Sequence, residues 1–300
     1  MRHMLSVEDI GREGLRHILD SARARERGGA TGRIGGRGPL VALMLERPAL
    51  RTRIAYEAAV WQLNGRLIPF EGPLASRESL ADVARVLSQM VDAIVARVRD
   101  HETLEGFAGF ATVPVVNALS NREHPVEVLA DALTLQEVFG EPAGRKLAFV
   151  GAGGNVCHSV LLLAAMLGLH VAVATPPEHA PDPEILERAA RWTHESGQRL
   201  EVLHSAEDAV RGADAIYADA WPSIGDPDEQ RRVFGPYRVD RRLLSCAAPE
   251  AIFLHCLPAH RGREVTADVL DGPRSFAFER LSHLAPTTAA TIEWLLDSPK

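Results

Sequence analysis

A histidine and a cysteine directly after an apolar segment are the residues of this chain best placed to do chemistry. The apolar run 251–254 predicts a buried strand, and His255 and Cys256 follow it before Pro258 ends strand pairing. In open α/β sheets, ligands bind beyond the carboxyl ends of the strands. The pair therefore stands where such a fold places reactive groups, although a buried cysteine beside a structural histidine would give the same short pattern.

The string that continues from this pair is more specific than the pair. His-Cys-Leu-Pro-Ala-His-Arg-Gly at 255–262, followed by Glu-Val-Thr at 264–266, resembles the signature of the ornithine carbamoyltransferases. The resemblance extends over most of the chain, from about residue 39 to residue 296. It implies that His255, Cys256 and Leu257 contact an amino-acid substrate, with Cys256 packed beside the nucleophilic amine.

A second motif, Asp-Ala-Trp-Pro-Ser-Ile-Gly at 219–225, follows another predicted strand. It resembles the Asp-x-Trp-x-Ser-Met-Gly loop of the same family. The resemblance implies that Asp219 holds the substrate's α-ammonium group, while Ser223 and its neighbour Ile224 hold the carboxylate. The chemistry suits these roles, because a carboxylate beside backbone N–H groups and a hydroxyl can bind a zwitterion at both ends.

The glycine-rich segment 151–155 lies between a predicted strand and a predicted helix, as in dinucleotide-binding loops. Val156 stands where that fingerprint needs a third glycine, and the next strand runs into Thr175 rather than an acidic residue, so a nicotinamide cofactor is not expected. The segment resembles instead the family's Gly-Asp-Gly-Asn-Asn-Val-x-His-Ser, which implies that Asn155 binds the amino acid. Capping of the following helix is an equally good and compatible role for Asn155.

The first half of the chain carries the residues expected to bind the carbamoyl donor. Arg51 and Thr52 match the family's Ser-Thr-Arg-Thr-Arg turn, where a helix N-terminus, hydroxyls and an arginine hold phosphate. Arg97 ends a predicted strand at the place of a carbamoyl-binding arginine, and His124 precedes a predicted helix. The resemblance implies that Thr52, Arg97 and His124 polarise the carbonyl oxygen while Arg51 holds the departing phosphate. A surface arginine and a helix-capping histidine are the alternative interpretations.

The donor half also departs from the family pattern. Ala49 and Leu50 replace two hydroxyl residues, Glu127 replaces a glutamine, and Leu284 aligns without gaps where the family has an arginine; a shifted alignment would bring Arg280 there. Hydrogen bonds to charged groups are worth roughly 1.5–3 kcal/mol each, so losing two could weaken phosphate binding by about 10²–10⁴. A carboxylate at Glu127, next to the donor, repels a phosphate dianion and favours a cation.

Apolar segments that alternate with helices predict the fold. They indicate parallel sheets covered on both faces, hence an α/β protein of two doubly wound parallel-sheet domains. The resemblance adds that interdomain helices join them. A break at Gly140–Gly144 predicts a carbamoyl phosphate-binding-type domain of residues 1–140 plus 283–300 and an amino-acid-binding-type domain of residues 141–282. The predicted strands are Pro39–Leu45, Leu67–Phe70, Ala93–Ala96, Thr112–Val116, Lys146–Val150, His170–Ala174, Leu200–Leu203, Ala215–Ala218, Ala251–Leu254 and Ser275–Phe278.

Composition argues against several classes of protein. A net charge of −7 does not suit a nucleic-acid-binding surface. Three cysteines form no even disulfide framework, which favours a cytoplasmic location. Neither a signal peptide nor a membrane span is expected, because no apolar run has the required length.

The resemblance implies an enzyme that transfers a carbamoyl group to the amine of ornithine or a related amino acid, with no metal or organic cofactor. Its expected partners are an amino acid, carbamoyl phosphate if the donor site still functions, and two further copies of the chain. In such a homotrimer, with shared active sites, the loop around Arg77–Ser79 would reach the neighbouring site. The departures leave two alternatives open: a repurposed homologue acting on a ureido or guanidino substrate, similar to citrulline or arginine, without carbamoyl phosphate, and a catalytically silent amino-acid-binding homologue.

Overall fold

A computed structural model describes residues 2–28, 37–222 and 227–297 of the chain. The chain divides into two compact units. The first unit comprises Met1–Leu133 and Ser282–Lys300, and the second comprises Thr134–Leu281. The predicted domain limits at residues 140 and 283 stay a prediction. Among the described residues, no helix combines the length and the apolar character needed to cross a membrane.

The described residues form nine β-strands and twelve α-helices. The strands are β1 (Leu40–Leu45), β2 (Arg66–Glu71), β3 (Ala93–Arg97), β4 (Val115–Leu119), β5 (Lys146–Val150), β6 (His170–Ala174), β7 (Leu200–Leu203), β8 (Ala215–Ala218) and β9 (Ile252–His255). The helices are α1 (Gly11–Glu26), α2 (Leu50–Gln62), α3 (Leu80–Met90), α4 (His101–Phe110), α5 (Pro125–Phe139), α6 (Asn155–Met166), α7 (Pro183–Glu195), α8 (Ala206–Val210), α9 (Pro227–Phe234), α10 (Arg241–Leu244), α11 (Ala267–Leu270) and α12 (Leu284–Leu296). Short 3-10 turns connect several of them, among them Glu279–His283 before α12.

Each unit is built on one parallel sheet. The strand order is β2-β1-β3-β4 in the first unit and β7-β6-β5-β8-β9 in the second, with every pairing parallel. The inner strands β1, β3, β5, β6 and β8 are almost wholly buried, because parallel sheets carry helices on both faces. Their continuous apolar sequences are the reason they could be predicted.

Two strand predictions differ from the structure by more than one residue at either end. Ser275–Phe278 is not a strand, since only a single bridge joins Ser275 to Phe253. The N–H of Ala277 donates to the Ser275 hydroxyl at 3.4 Å, and the chain then turns into a 3-10 helix. Strand β4 begins three residues later than predicted, because the N–H of Thr112 donates to the Ser88 hydroxyl at 2.9 Å instead of a strand neighbour.

Helix packing and polar side-chain contacts fix the last helix within the first unit. Helix α12 packs against α1 and α2. Arg25 of α1 donates to the Glu293 carboxylate at 2.6 Å, with both side chains more than 90% buried. At the other end of α12, the Nδ1 atom of His283 lies 2.5 Å from the Glu26 carboxylate. The packing of α12 against α2 places Leu284, at the start of α12, beside Thr52 and Tyr56 of α2.

Candidate functional site

The residues predicted to polarise the donor carbonyl lie together at the carboxyl end of the first sheet. Strand β3 ends at Arg97, and helix α2 begins at Leu50 just beyond the end of the neighbouring β1. The Nη1 atom of Arg97 donates to the Thr52 hydroxyl at 2.9 Å. Thr52 belongs to the first turn of α2, where the helix dipole favours negative charge. The structure therefore places one cation and one hydroxyl at an anion-attracting helix end.

His124 and Glu127 form a second contact in the same unit. His124 directly precedes α5, Glu127 lies in its first turn, and His124 Nε2 is 3.4 Å from Glu127 Oε2. Both side chains are more than 85% buried. One small pocket brings this pair together with residues of α2 and α12. Its lining includes Arg51, Thr52, Tyr56, His124, Glu127 and Leu284.

The residues that depart from the family pattern lie at the start of α2 and in the small pocket. Ala49 is the N-cap of α2 and makes no side-chain capping hydrogen bond, and the Leu50 side chain is 74% exposed. Leu284 lines the pocket, and Arg280 is a fully buried residue of the second unit; which of them takes the place of the family's arginine stays a prediction. The first N–H groups of a helix lie outside its internal hydrogen bonds and remain suited to an anion.

The second unit brings Asp219 and Cys256 together through the register of two neighbouring strands. Ala218 of β8 pairs with His255 of β9, so the next residue of each strand emerges at the same edge. The Cys256 thiol donates to Asp219 Oδ1 at 2.9 Å, and the N–H of Ala220 donates to the same oxygen at 2.7 Å. Two of the residues predicted to contact the amino acid are thus in direct contact with each other.

Burial raises the pKa of Asp219, and hydrogen bonds from Cys256 and Ala220 offset this only in part. A carboxyl group in this state is stabilised in its ionised form by a nearby cation. An ammonium group is such a cation. The electrostatics of Asp219 are therefore suited to the role that the sequence predicts for it.

The backbone N–H of Leu257 holds His255 in one tautomer. Its Nδ1 accepts the N–H of Leu257 at 2.8 Å, so its proton resides on Nε2, which faces Glu264 at 3.7 Å. Leu257 has a positive φ of 58°, which bulky residues rarely adopt, and its bond to Pro258 is cis. His255 and Glu264 are fully buried.

Glu264 was not predicted as a functional residue. It lies opposite two histidines, since it also accepts the N–H of His260, whose Nδ1 is 3.6 Å away. The available signal was an acidic residue in the motif string, nine positions after His255. Glu264 therefore lies beside the buried His255 ring and, through its bond to the His260 backbone, closes the loop that carries Cys256.

The glycine-rich loop has a structural reason for its sequence. A Cβ atom on Gly153 would lie 2.2 Å from the backbone nitrogen of Pro181, so only glycine fits there. Asn155 is the first residue of α6 rather than its N-cap, which is Gly154, and its Oδ1 accepts the N–H of Val156 at 2.9 Å. Close packing therefore accounts for Gly153 without a nucleotide.

Ser223 and Ile224 lie outside the described residues, so their predicted contacts stay predictions. The loop before them is anchored. Gln230 donates to the carbonyl oxygen of Pro222 at 2.6 Å, and the rings of Trp221 and Phe234 stack with centroids 5.9 Å apart.

Replacing Glu264 with glutamine is expected to destabilise the protein at neutral pH. Burial alone would raise the pKa of Glu264, but the nearby His255 side chain and the hydrogen bond from the His260 backbone outweigh it, so the pKa lies below its usual range. A depressed carboxyl pKa contributes stability above the unfolded value of about 4.3, and this stability is lost as pH falls through the folded pKa. We expect a loss of about 1.5–3 kcal/mol at pH 7, which shrinks as the medium is acidified.

Denaturant unfolding across this pH range measures the effect, and Glu250→Gln, at an exposed position, is the control. Equal stability of Glu264→Gln and the unaltered protein at pH 7 would contradict the assigned role of the carboxylate.

Comparison with known proteins matches each half of the chain to a domain of one protein family. Residues 2–137 match the model described as "Aspartate/ornithine carbamoyltransferase, carbamoyl-P binding domain", and residues 143–295 match the corresponding "Asp/Orn binding domain". The chain belongs to the aspartate/ornithine carbamoyltransferase family. Both matched models describe domains that bind small molecules.

Individual members of the family are similar over their full lengths. An ornithine carbamoyltransferase of Methanothermobacter thermautotrophicus is 42% identical over 302 residues, covering 99% of this chain and 99% of that protein. The structure of ornithine carbamoyltransferase from Pyrococcus furiosus superposes with a TM-score of 0.94 at 37% identity, covering 100% and 98% of the two chains. That from Gloeobacter violaceus gives 0.91 at 37% identity and 99% coverage of both.

These similarities confirm the family and the fold class predicted from the sequence. The two parallel-sheet α/β units have the fold of solved ornithine carbamoyltransferases. The similarity spans both halves of the chain at about 42% identity, and it does not favour a repurposed or silent homologue.

Proposed function

We propose that this chain is an ornithine carbamoyltransferase, which transfers the carbamoyl group of carbamoyl phosphate to the amine of ornithine or a closely related amino acid. The observation that carries the proposal is the hydrogen bond from Arg97 to Thr52 at the N-terminus of α2, with His124 in the same pocket as Thr52. The full-length similarity to enzymes named ornithine carbamoyltransferase supports it.

The residues that bind carbamoyl phosphate form two groups, one at its phosphate end and one at its carbonyl end. Arg51 and the first turn of α2 bind the phosphate group. Thr52, Arg97 and His124 hydrogen-bond the carbonyl oxygen, which gains negative charge when the neutral amine attacks the carbonyl carbon. The bond from that carbon to the phosphate oxygen then breaks, phosphate leaves with the bonding electrons, and the proton lost by the amine nitrogen passes to the departing phosphate. These steps need no metal or organic cofactor.

The amino acid is held by residues of the second unit. Asp219 binds the α-ammonium group, whose positive charge stabilises the ionised carboxylate. Asn155, Ser223, Ile224 and the segment 255–257 complete the binding of the amino acid. Cys256, which donates to Asp219, lies beside the attacking amine. The preceding residue, His255, is buried next to Glu264.

The departures at Ala49 and Leu50 predict weak phosphate binding that can be restored. We expect the double variant Ala49→Ser with Leu50→Thr to bind carbamoyl phosphate at least about tenfold more tightly, because two hydroxyls would join the donors at the N-terminus of α2. Calorimetric titration measures the change. Leu50→Ala, which removes the exposed side chain without adding a hydroxyl, is the control. A double variant no tighter than this control would show that these positions do not contact phosphate.

Calorimetry with carbamoyl phosphate, with and without L-ornithine, tests the proposed function. Binding of both ligands followed by citrulline formation supports a carbamoyltransferase. Binding of an amino acid without binding of carbamoyl phosphate would refute it, and would leave a phosphate-free ureido or guanidino substrate as the alternative. Binding of an amino acid without turnover of carbamoyl phosphate or of a ureido or guanidino substrate would favour a silent homologue.

A homotrimer with shared active sites belongs to the same proposal. The first unit has an open pocket of about 410 Å³, lined by Arg77 and Glu78 together with Ile68, Phe70 and Met90. The three apolar side chains are 50%, 49% and 65% exposed, which is typical of surfaces that bind other chains. Light scattering that gives the mass of one chain would refute self-association. A cytoplasmic location remains the expectation from the three cysteines.

A further inference from the structure

Glu123 is a fully buried acidic residue to which the proposed reaction gives no role. It directly precedes His124, in the loop between β4 and α5. A carboxylate is unfavourable in a protein interior unless hydrogen bonds compensate for its lost hydration. Its Oε2 atom accepts the backbone N–H of Val7 at 3.0 Å. The buried carboxylate therefore joins the loop that carries His124 to a segment 116 residues earlier in the chain.

That earlier part of the chain, residues 4–10, is the N-terminal segment, and it is itself bound to the first sheet. The N–H of Met4 donates to the carbonyl oxygen of Val115 at 2.9 Å, and its own carbonyl oxygen accepts the N–H of Asn117 at 2.8 Å. Met4 thus pairs in parallel with β4, the last strand of the sheet. The side-chain amide of Asn117 donates to the carbonyl oxygen of Leu5 at 2.8 Å. The N-terminal segment therefore has a fixed position along this edge.

The backbone of Glu123 is hydrogen-bonded within its own loop. Its carbonyl oxygen accepts the N–H of Ser120 at 2.9 Å, and its N–H donates to the Ser120 hydroxyl at 3.3 Å. These contacts define the shape of the loop, whereas the hydrogen bond from Val7 fixes its last turn against the N-terminal segment. The next residue, His124, lines the small pocket together with Thr52. The contact between Glu123 and Val7 therefore acts one residue away from a side chain of the donor site.

We propose that Glu123 is a positioning residue of the donor site, which holds His124 where it hydrogen-bonds the carbonyl oxygen of the donor. The inference rests on the proposed function, because that function gives His124 its role. A displacement of about 1 Å in a catalytic group can lower a rate by about 10²-fold. The N-terminal segment thus contributes to the reaction through one buried hydrogen bond, and Glu123 acts on the substrate only through His124.

Two substitutions of Glu123 test the inference through citrulline formation. Glu123→Ala removes the carboxylate, and we expect it to lower kcat by about tenfold because His124 is no longer held in place. The KM for ornithine should stay within about twofold, since ornithine is proposed to bind residues of the second unit. Glu123→Gln keeps an oxygen atom that can accept the N–H of Val7, so its kcat should be close to that of the unaltered protein.

Val7→Pro removes the donor of the same hydrogen bond, and it keeps the test available if Glu123→Ala does not fold. Val7 is the first residue of a 3-10 helix, where proline is tolerated, and Ser6 before it is extended, as a residue before proline prefers. Val7→Pro should lower kcat about as much as Glu123→Ala does, and the double variant should lose no more than either. Val7→Ala, which retains the N–H, controls for the shortened side chain and should keep the original kcat.

Asp92→Ala is the matched control for the loss of a carboxylate that binds a backbone N–H. Asp92 accepts the N–H of Leu40 at 2.7 Å, at the amino ends of β3 and β1, whereas His124 lies beyond the carboxyl end of β4. Thermal unfolding should show a lower Tm for this variant, while kcat measured well below the Tm should stay unchanged. A loss of stability alone is thereby separated from a loss of positioning.

Adding Glu123→Ala to His124→Ala should cause no further loss of kcat, because Glu123 has no other route to the reaction. A further tenfold loss in this background would overturn the inference. So would an unchanged kcat in both Glu123→Ala and Val7→Pro, or a Glu123→Gln variant as slow as Glu123→Ala. In all three cases an unaltered protein that forms citrulline leaves the proposed function intact. An unaltered protein that forms none from carbamoyl phosphate and ornithine overturns both.

Discussion

Asp219→Asn is expected to lower kcat/KM for L-ornithine by about 10²–10³-fold, because it leaves the substrate's ammonium group without its countercharge in a desolvated position. Asparagine keeps the size of the side chain and an oxygen that can accept from Cys256 and Ala220, so the local fold should persist. Steady-state citrulline formation measures the loss. Asp208→Asn, an exposed position on α8, should leave the rate unchanged.

The raised pKa of Asp219 predicts that binding of the amino acid changes the protonation of this carboxyl group. Burial raises the pKa of Asp219 in the free protein, and a bound ammonium group favours the ionised form. Amino-acid binding should therefore release a proton near and below this raised pKa, and the affinity should weaken as pH falls through it. Calorimetry in buffers of different ionisation enthalpy counts the protons. An unchanged proton release in Asp219→Asn would place the titrating group elsewhere.

Arg97→Ala is expected to reduce kcat for citrulline formation by about 10²–10³-fold, the usual effect of removing one donor that stabilises a developing oxyanion. Thr52→Val should have a smaller effect, about tenfold, because its hydroxyl is neutral. Since Arg97 donates to the Thr52 hydroxyl, the two residues act as a unit. The double variant should lose less than the product of the two single losses.

Arg99→Ala is the control for Arg97, because this exposed arginine lies two residues further along the chain. Rates at saturating carbamoyl phosphate and ornithine separate catalysis from binding. Arg97→Ala with more than a tenth of the original kcat would show that the arginine binds the donor without stabilising the transition state. Fully multiplicative losses would show that the Arg97–Thr52 hydrogen bond does not matter for the reaction.

The amino-acid sequence alone determined the family, the α/β class and the positions of most strands. Strands β5, β6, β7 and β8 have the predicted bounds, because apolar segments between turns are a local property. The location of the site at the carboxyl ends of the strands also follows from the local sequence, because polar residues directly after a parallel strand emerge where ligands bind. Asp219, Cys256, Arg97 and His124 were singled out in this way from motifs that continue past a strand or precede a helix.

Only the tertiary structure decided which of these residues touch. Asp219 and Cys256 are separated by 36 residues, and their contact follows from the pairing of β8 with β9, which no local pattern specifies. The burial of Glu264 beside two histidines and the place of Leu284 in the donor pocket are likewise results of packing. Sequence patterns fix the face and the end of an element, whereas the distance between side chains of different elements depends on strand order, register and helix packing. The chemistry of this protein was therefore visible in its motifs, and its geometry only in its fold.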